Sequence, residues 1–190
     1  MVISEKIIRA CQARDGKAEQ QLYRLLAPRV LTLCRRYARD EAEALDFLQE
    51  CWIVLFDKIG RYDSTRGAFE PWAWRVSTNC VLMQLRSQQR YPPLLEQGEE
   101  GDDLYDTSES DQVTEIYSPE VLLEAIRQLP EGYRRVINLS VFEEWDHDRI
   151  GRELGISAGS SRSQLTRAKR ALRRILEKKR TLSNESRRIG

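Results

Sequence analysis

Apolar residues recur at three- and four-residue spacing from the start of the chain to about Arg90, with few glycines or prolines between them, so this stretch is predicted to be helical throughout. From Leu45 to Ile59 the pattern places Leu45, Leu48, Trp52, Leu55, Phe56 and Ile59 on one helical face, which is expected to be core. Asp46, Gln49, Glu50, Ile53 and Asp57 fall on another face within about 100° of arc, at the roughly 100° per residue of an α-helix. An acidic stripe around an apolar Ile53 suits a protein partner, although an ordinary solvated face has the same pattern.

The run Gly60, Arg61, Tyr62, Asp63, Ser64, Thr65, Arg66, Gly67 is a polar loop that ends this helix, and Pro71 suits the start of the next. That second long helix, expected to reach Gln89, sets Phe69, Trp72, Ala73, Val76, Cys80 and Met83 on one side and Trp74, Val81 and Leu85 on another, as for a helix packed between neighbours. The stripe left exposed is Arg75, Asn79 and Arg86, continued by Arg90. A single-stranded nucleic-acid surface needs cations for phosphates and flat rings for unstacked bases, and Tyr62, Phe69, Trp72 and Trp74 stand beside these side chains. For Trp72 and Phe69 core packing is the commoner role.

Between Tyr91 and Tyr117 the period is lost. This stretch opens on Tyr91, Pro92 and Pro93, contains Gly98 and Gly101, and carries nine acids with no Lys or Arg, the composition of a flexible acidic linker. Periodicity returns after Ser118, a good N-cap followed by Pro119 at the first helical position. Val121, Leu122, Ala125, Ile126 and Leu129 make a short helix that stops at Pro130, and Tyr133, Val136, Ile137, Leu139, Ser140 and Val141 sustain a second. A bihelical unit follows: Asp146 to Leu154 buries Ile150 and Leu154, Gly155 permits the turn, Ile156 plugs the corner and Ser157 caps a helix expected to reach about Lys179. The last helix buries Leu165, Ala168, Leu172, Ile175 and Leu176 and presents Ser160, Ser163, Thr166, Arg167, Arg170 and Arg174 on its opposite face. This is a helix-turn-helix pattern, whose second helix enters the major groove by its N-terminal residues. Ser160, Ser161 and Ser163 would let the backbone approach phosphates, and Arg162, Gln164 and Arg167 would reach phosphates or base edges.

Charge sharpens this picture. The chain of 190 residues has a net charge of +1, but setting aside the nine linker acids leaves 31 basic against 21 acidic residues. From Arg162 to Arg188 there are eleven basic residues and two acids, a density that suggests a polyanion. Four cysteines (Cys11, Cys34, Cys51, Cys80) form no CxxC pair, so they are expected to be buried thiols with no metal site. No apolar run approaches the roughly 20 residues of a membrane helix and the first residues lack a signal-peptide pattern, which leads us to expect a cytoplasmic protein without membrane insertion. Catalysis finds no support: His147, between Asp146 and Asp148, is the sole histidine and suits capping or solvation, and no phosphate loop, nucleophile elbow or cofactor motif occurs. We expect no cofactor and no enzyme.

The motifs together resemble the extracytoplasmic-function sigma factors of bacterial RNA polymerase. Asp46, Phe47, Leu48, Gln49, Glu50 with Trp52 and Phe56 resemble that family's core-binding helix, and Gly67, Ala68, Phe69 through Trp72, Arg75, Asn79, Leu85 and Arg86 its promoter-melting helix. Leu129 to Arg134, then Ile150, Gly151, Leu154 to Ser157, Gly159 to Leu165 and Arg167 to Lys169 resemble its C-terminal DNA-binding domain. Ser161 departs where an aliphatic residue is frequent, and Leu45 where an acid is.

The resemblance implies an all-α chain of two small domains, an N-terminal helical bundle and a C-terminal helix-turn-helix domain, joined by the acidic linker. Residues 1–92 would bind core polymerase and the −10 element, 93–117 would be linker, 118–180 would bind the −35 element and 181–190 would be a basic tail. Asp46, Gln49, Glu50, Ile53 and Asp57 would dock on the polymerase clamp. Arg61, Asp63, Ser64, Thr65 and Arg66 would hold a base flipped from the −10 element, with Arg75, Asn79 and Arg86 beside it. Ser160, Arg162, Ser163, Gln164, Thr166, Arg167 and Arg170 would read the −35 element. Partners would be core RNA polymerase, promoter DNA and an anti-sigma factor. The linker's nine acids would either imitate the charge of a nascent transcript or serve as a soluble tether. A stand-alone helix-turn-helix regulator is the rival reading; the Arg75, Asn79, Arg86 stripe and the lack of a sensor motif count against it.

Overall fold

The structure, a computed structural model, describes residues 3–87 and 117–189, with side chains as far as Thr181. The acidic linker and Arg90 lie outside the described residues. Helices account for the regular structure and no strand occurs among the described residues, in keeping with the all-α expectation. Contacts divide the chain into two units, Met1–Tyr91 and Pro92–Gly190.

The first unit comprises α1 (Glu5–Gln12), α2 (Gly16–Tyr37), α3 (Glu41–Lys58) and α4 (Phe69–Ser87). Short polar residues start the first three: Ser4 accepts from the Lys6 amide, Asp15 from Lys17 and Ala18, and Asp40 from Glu43. Each such cap satisfies an otherwise orphaned amide and stabilises a helix by about 1 kcal/mol. Helix α2 packs on α1, α3 and α4, and α3 packs on α4. Leu22, Leu26, Leu33, Phe47, Leu55, Val81, Leu82 and Leu85 fill the space between them.

Two apolar residues assigned to this core lie outside it. Leu45 is 49% exposed and Met83 54% exposed. The buried arc of α3 centres on Ala44, Cys51 and Leu55, which puts Leu45 about 100° from its middle. Helix α4 buries Ala73, Ser77, Val81 and Leu85 between α2 and α3, and Met83 turns instead toward the side of Asn79 and Arg86.

All four cysteines are buried free thiols. Cys51 Sγ lies 3.6 Å from the Ser77 carbonyl oxygen, and its thiol is within hydrogen-bonding reach of Cys34 and Cys80. The Cys34 contact and burial hold the Cys51 thiol, and the Cys51 contact and burial the Cys80 thiol, well above the ordinary cysteine range. Burial, with Glu19 and Asp15 nearby, pushes Cys11 up to about 11.

The second unit comprises α5 (Pro119–Arg127), α6 (Glu131–Ile137), α7 (His147–Leu154) and α8 (Ala158–Ile189). Ser118 caps α5 with Pro119 at its first position, as expected. Helix α6 runs on as a π-helical turn, Asn138–Phe142, closed by Glu144 in the left-handed region at φ 55°. Helix α8 is the common support, packing against α5, α6 and α7. Leu129, Ile137 and Ala168 form the core there, with Tyr133, Leu165, Leu172 and Ile175 packed on it. Helix α8 also continues to Ile189, ten residues past the expected end at Lys179 and over residues 181–189 of the expected basic tail, because neither proline nor glycine interrupts it before Gly190.

Gly155 ends α7 in the left-handed conformation at φ 69°, as the turn requires. Gly151 is more tightly constrained, since a Cβ there would come within 2.7 Å of the Ile156 carbonyl oxygen.

Two measurements check this packing. Gly151→Ala should destabilise the second unit by at least about 1–3 kcal/mol in denaturant unfolding, because backbone must move to admit the methyl group; native stability would refute the close approach. The four thiols should react with a disulfide reagent in the native chain far more slowly than after denaturation, and rapid native labelling would contradict their burial.

Candidate functional site

The outer face of α3 carries the expected acidic stripe: Asp46, Gln49, Ile53 and Asp57 are exposed and Glu50 is half-buried. The structure adds an apolar groove of about 440 Å³ beside it, lined by Tyr23, Leu45, Leu48, Gln49, Trp52, Ile53 and Phe56. The Tyr23 and Phe56 rings flank Trp52 at 4.9 and 5.2 Å between centroids. Ile53 is 56% exposed, and with Leu45 and Tyr23 it makes an uncovered apolar patch bordered by carboxylates. Such a surface fits a partner that offers apolar side chains flanked by cations. Sequence reasoning missed Tyr23, which comes from another helix, and had placed Leu45 inside.

Arg61, Asp63, Ser64, Thr65 and Arg66 are all exposed, in a segment made of two 3₁₀ turns, Ile59–Arg61 and Ser64–Arg66. Gly67 closes it at φ 141° and ψ 174°, a backbone region open essentially to glycine alone. Tyr62 spans the loop: its ring packs on Phe69 and Trp72 at 5.0 and 5.3 Å, and its hydroxyl donates to the Gly67 carbonyl at 2.9 Å. Burial, together with Glu70, Glu5 and Asp63, raises the Tyr62 pKa, which keeps that donor protonated. Asp63 accepts from the Thr65 hydroxyl at 2.8 Å and the Thr65 amide at 2.9 Å, and Arg66 lies 3.5 Å away. The Thr65 hydroxyl first, then its amide and Arg66, hold the Asp63 carboxyl below its ordinary 3.8.

Arg75, Asn79 and Arg86 are exposed along α4, and Met83 joins them, so this face offers a thioether among cations and an amide. Trp74 packs with Arg36, whose guanidinium carbon lies 5.6 Å from the ring centroid. Trp74 is therefore engaged within the bundle.

In the second unit, Ser157 accepts from the Ser160 amide at 2.9 Å and starts α8. Arg162, Ser163, Thr166 and Arg170 are exposed, Ser160 and Arg167 are half-buried, and Gln164 is half-buried with its amide oxygen turned inside. The exposed stripe therefore runs Arg162, Ser163, Thr166, Arg170, Arg174. Ser161 is not at the surface: it is fully buried and its hydroxyl lies 2.9 Å from His147 Nδ1. His147 is half-buried and does not cap α7; Asp146 does, accepting from the Arg149 amide, and the imidazole ties α7 to α8. No group of His, Cys, Asp and Glu suited to a metal ion occurs among the described residues, and no helix among them is long and apolar enough to cross a membrane.

These two units match known families in chain order. The model for sigma-70 region 2 matches residues 22–91 and that for sigma-70 region 4 matches residues 120–172. RNA polymerase sigma factor CarQ of Myxococcus xanthus is 30% identical over 174 residues, covering 86% of this chain and 92% of CarQ. RNA polymerase sigma-H factor of Pseudomonas aeruginosa is 25% identical, with 91% of this chain and 93% of that protein covered. ECF RNA polymerase sigma factor SigW of Bacillus subtilis is 27% identical, with 90% and 96% covered.

The Asp63 contacts set a pH dependence. A carboxylate stabilised in the folded loop contributes above its unfolded pKa of roughly 3.9 and loses that contribution as pH falls through the lower folded value. An NMR titration of the Asp63 carboxyl should give a midpoint below 3.8, and a midpoint at or above that figure would show that the Thr65 contacts do not persist in solution.

Proposed function

Because this chain belongs to the sigma-70 family, in its extracytoplasmic-function branch, and is an RNA polymerase sigma factor, we propose that its first unit docks on the polymerase clamp and reads the −10 element while its second unit reads the −35 element. The observation that carries this assignment is the occurrence, on one compact unit, of an apolar groove with an acidic border on α3 and a separate cationic stripe with an exposed polar loop on α4 and before it. A stand-alone duplex-binding regulator has no use for the first of these surfaces.

Asp46, Gln49, Glu50, Ile53 and Asp57 make the clamp contact, with Leu45 and Tyr23 completing the groove that receives apolar side chains of the clamp. The loop carrying Arg61, Asp63, Ser64, Thr65 and Arg66 holds a base extruded from the −10 element, and Arg75, Asn79 and Arg86 hold the adjacent strand. Extrusion costs a few kcal/mol, which a preformed pocket and phosphate contacts offset. On α8, Arg162, Ser163, Thr166 and Arg170 face the −35 duplex, with Ser160 and Arg167 at the border. Gln164, with its amide oxygen inside, reads a base only after its side chain turns outward.

Residues 1–92 thus form the core-binding and −10 domain and residues 118–180 the −35 domain. The protein acts in the cytoplasm and has no catalytic centre of its own; the phosphoryl chemistry is the polymerase's. An anti-sigma factor is its natural antagonist, and the uncovered groove on α3 is a surface such a partner would mask.

Reconstitution tests the proposal. Mixed with sigma-free bacterial core polymerase, the chain should form a stable holoenzyme that selects two promoter elements from a random library. The double substitution Glu50→Lys and Ile53→Lys should weaken core binding at least tenfold, about 1.4 kcal/mol or more, while duplex binding through the second unit persists. Native core affinity in that variant would overturn clamp docking; duplex binding by the native chain without core association would support a stand-alone regulator.

A further inference from the structure

Helix α1 precedes the matched region 2, which begins at residue 22, yet it makes specific polar contacts with both ends of the exposed loop. At its C-terminal end, Gln12 Nε2 donates to the Ile59 carbonyl at 3.1 Å and to the Tyr62 carbonyl at 3.0 Å. Both amide hydrogens are therefore used, and they grip the first residue of the first 3₁₀ turn and the residue that follows it. Just before the Ser4 cap of α1, the Ile3 amide donates to Glu70 Oε1 at 2.9 Å, in the first turn of α4. The helix between these contacts is itself anchored, with Ile8 and Cys11 buried and α1 packed on α2.

We infer that α1 is a strut that sets the geometry of the base-holding loop, with Gln12 and Glu70 as positioning residues; this deepens and rests on the assignment of that loop to the −10 element. An eight-residue helix is a rigid rod of about 12 Å. Gln12 at its C-terminal end holds Tyr62 on one side of the loop and Ile3, just before its cap, holds Glu70 on the other, so their separation is fixed before DNA arrives. Tyr62 passes this order into the loop, because the residue whose carbonyl Gln12 holds also donates its hydroxyl to Gly67 at 2.9 Å. The Asp63 to Thr65 contacts then form inside a segment whose two ends are both held. A loop ordered in advance loses less conformational freedom on binding, and a misplaced base gains less from rearrangement, so discrimination rises with affinity. The contacts span 47 to 67 residues of sequence, and nothing local requires them for helix formation.

The test uses the full chain and its holoenzyme with bacterial core polymerase. Gln12→Met keeps the length of the side chain and removes both donors. Amide exchange at Thr65 and Arg66 should quicken about tenfold, and discrimination at one −10 position, read from library-selected promoters, should fall about tenfold, with core affinity and −35 preference retained. Glu70→Ala should act in the same direction, whereas Glu70→Gln, which keeps an oxygen for the Ile3 amide, should restore discrimination. Unchanged discrimination in Gln12→Met, with or without faster exchange, overturns the strut. A uniform loss at every promoter position together with core affinity also overturns it, since α1 would then serve stability alone. Asp63→Ala separates the premises: if it relaxes discrimination and Gln12→Met does not, the strut alone fails; if neither does, the loop assignment fails and the inference falls with it.

Discussion

Everything the first unit presents to a partner depends on the close approach of α2, α3 and α4 around small buried side chains. Cys34, Cys51 and Cys80 bring their thiols together there, with Ala44, Ala73 and Ser77 also buried. Small groups at a helix crossing let backbones draw near, and a close-packed interior leaves little freedom for one helix to rotate against another. Ser77 satisfies its buried hydroxyl on the Ala73 carbonyl at 3.0 Å. With that rotation set, α3 must turn Ile53 outward and α4 must turn Arg75, Asn79 and Arg86 outward. The two surfaces are consequences of one packing arrangement.

Aromatic rings extend that rigidity to the surface. Tyr23, Trp52 and Phe56 stack across α2 and α3, and Tyr62, Phe69 and Trp72 join the polar loop to α4. A ring can close a core with one face and offer a polar group or an edge with the other. Tyr62 does both, packing on Phe69 while its hydroxyl holds Gly67. For Tyr62, core packing and loop order are therefore one role, since its packing fixes the hydroxyl that holds the loop beside it.

Features written in a few neighbouring residues were legible in the sequence. The Ser118 cap, Pro119 at the helix start, the Gly155 turn and the α3 stripe depend on spacing within a turn or two, and each stands in the structure. Leu45 and Met83 were misplaced because the centre of a buried arc is set by the helices packed against it, which periodicity within one helix does not contain. The π-helical turn at Asn138–Phe142 has no local signature, and α8 outran its apolar stripe because no breaker follows. The site shows the same division. The exposed charged residues of the candidate site could be picked out one helix at a time, whereas Tyr23 reaches the groove and Gln12 the loop only through contacts across the fold.

The departure at Ser161 shows how such cross-fold contacts alter the meaning of a residue. Where an aliphatic side chain is frequent in the family, this chain buries a hydroxyl, and a buried hydroxyl without a partner is costly. His147, at the start of α7, supplies that partner at 2.9 Å. The two helices of the helix-turn-helix are consequently joined by a directional polar link at their N-terminal ends, while Gly151 lets their backbones meet within van der Waals distance at the turn. A hydrogen bond restricts angle as well as distance, which dispersion contacts do weakly. The angle between α7 and α8 decides which residues of α8 face outward, so His147 and Ser161 help to hold the exposed stripe from Arg162 to Arg174 in place, although neither belongs to that stripe.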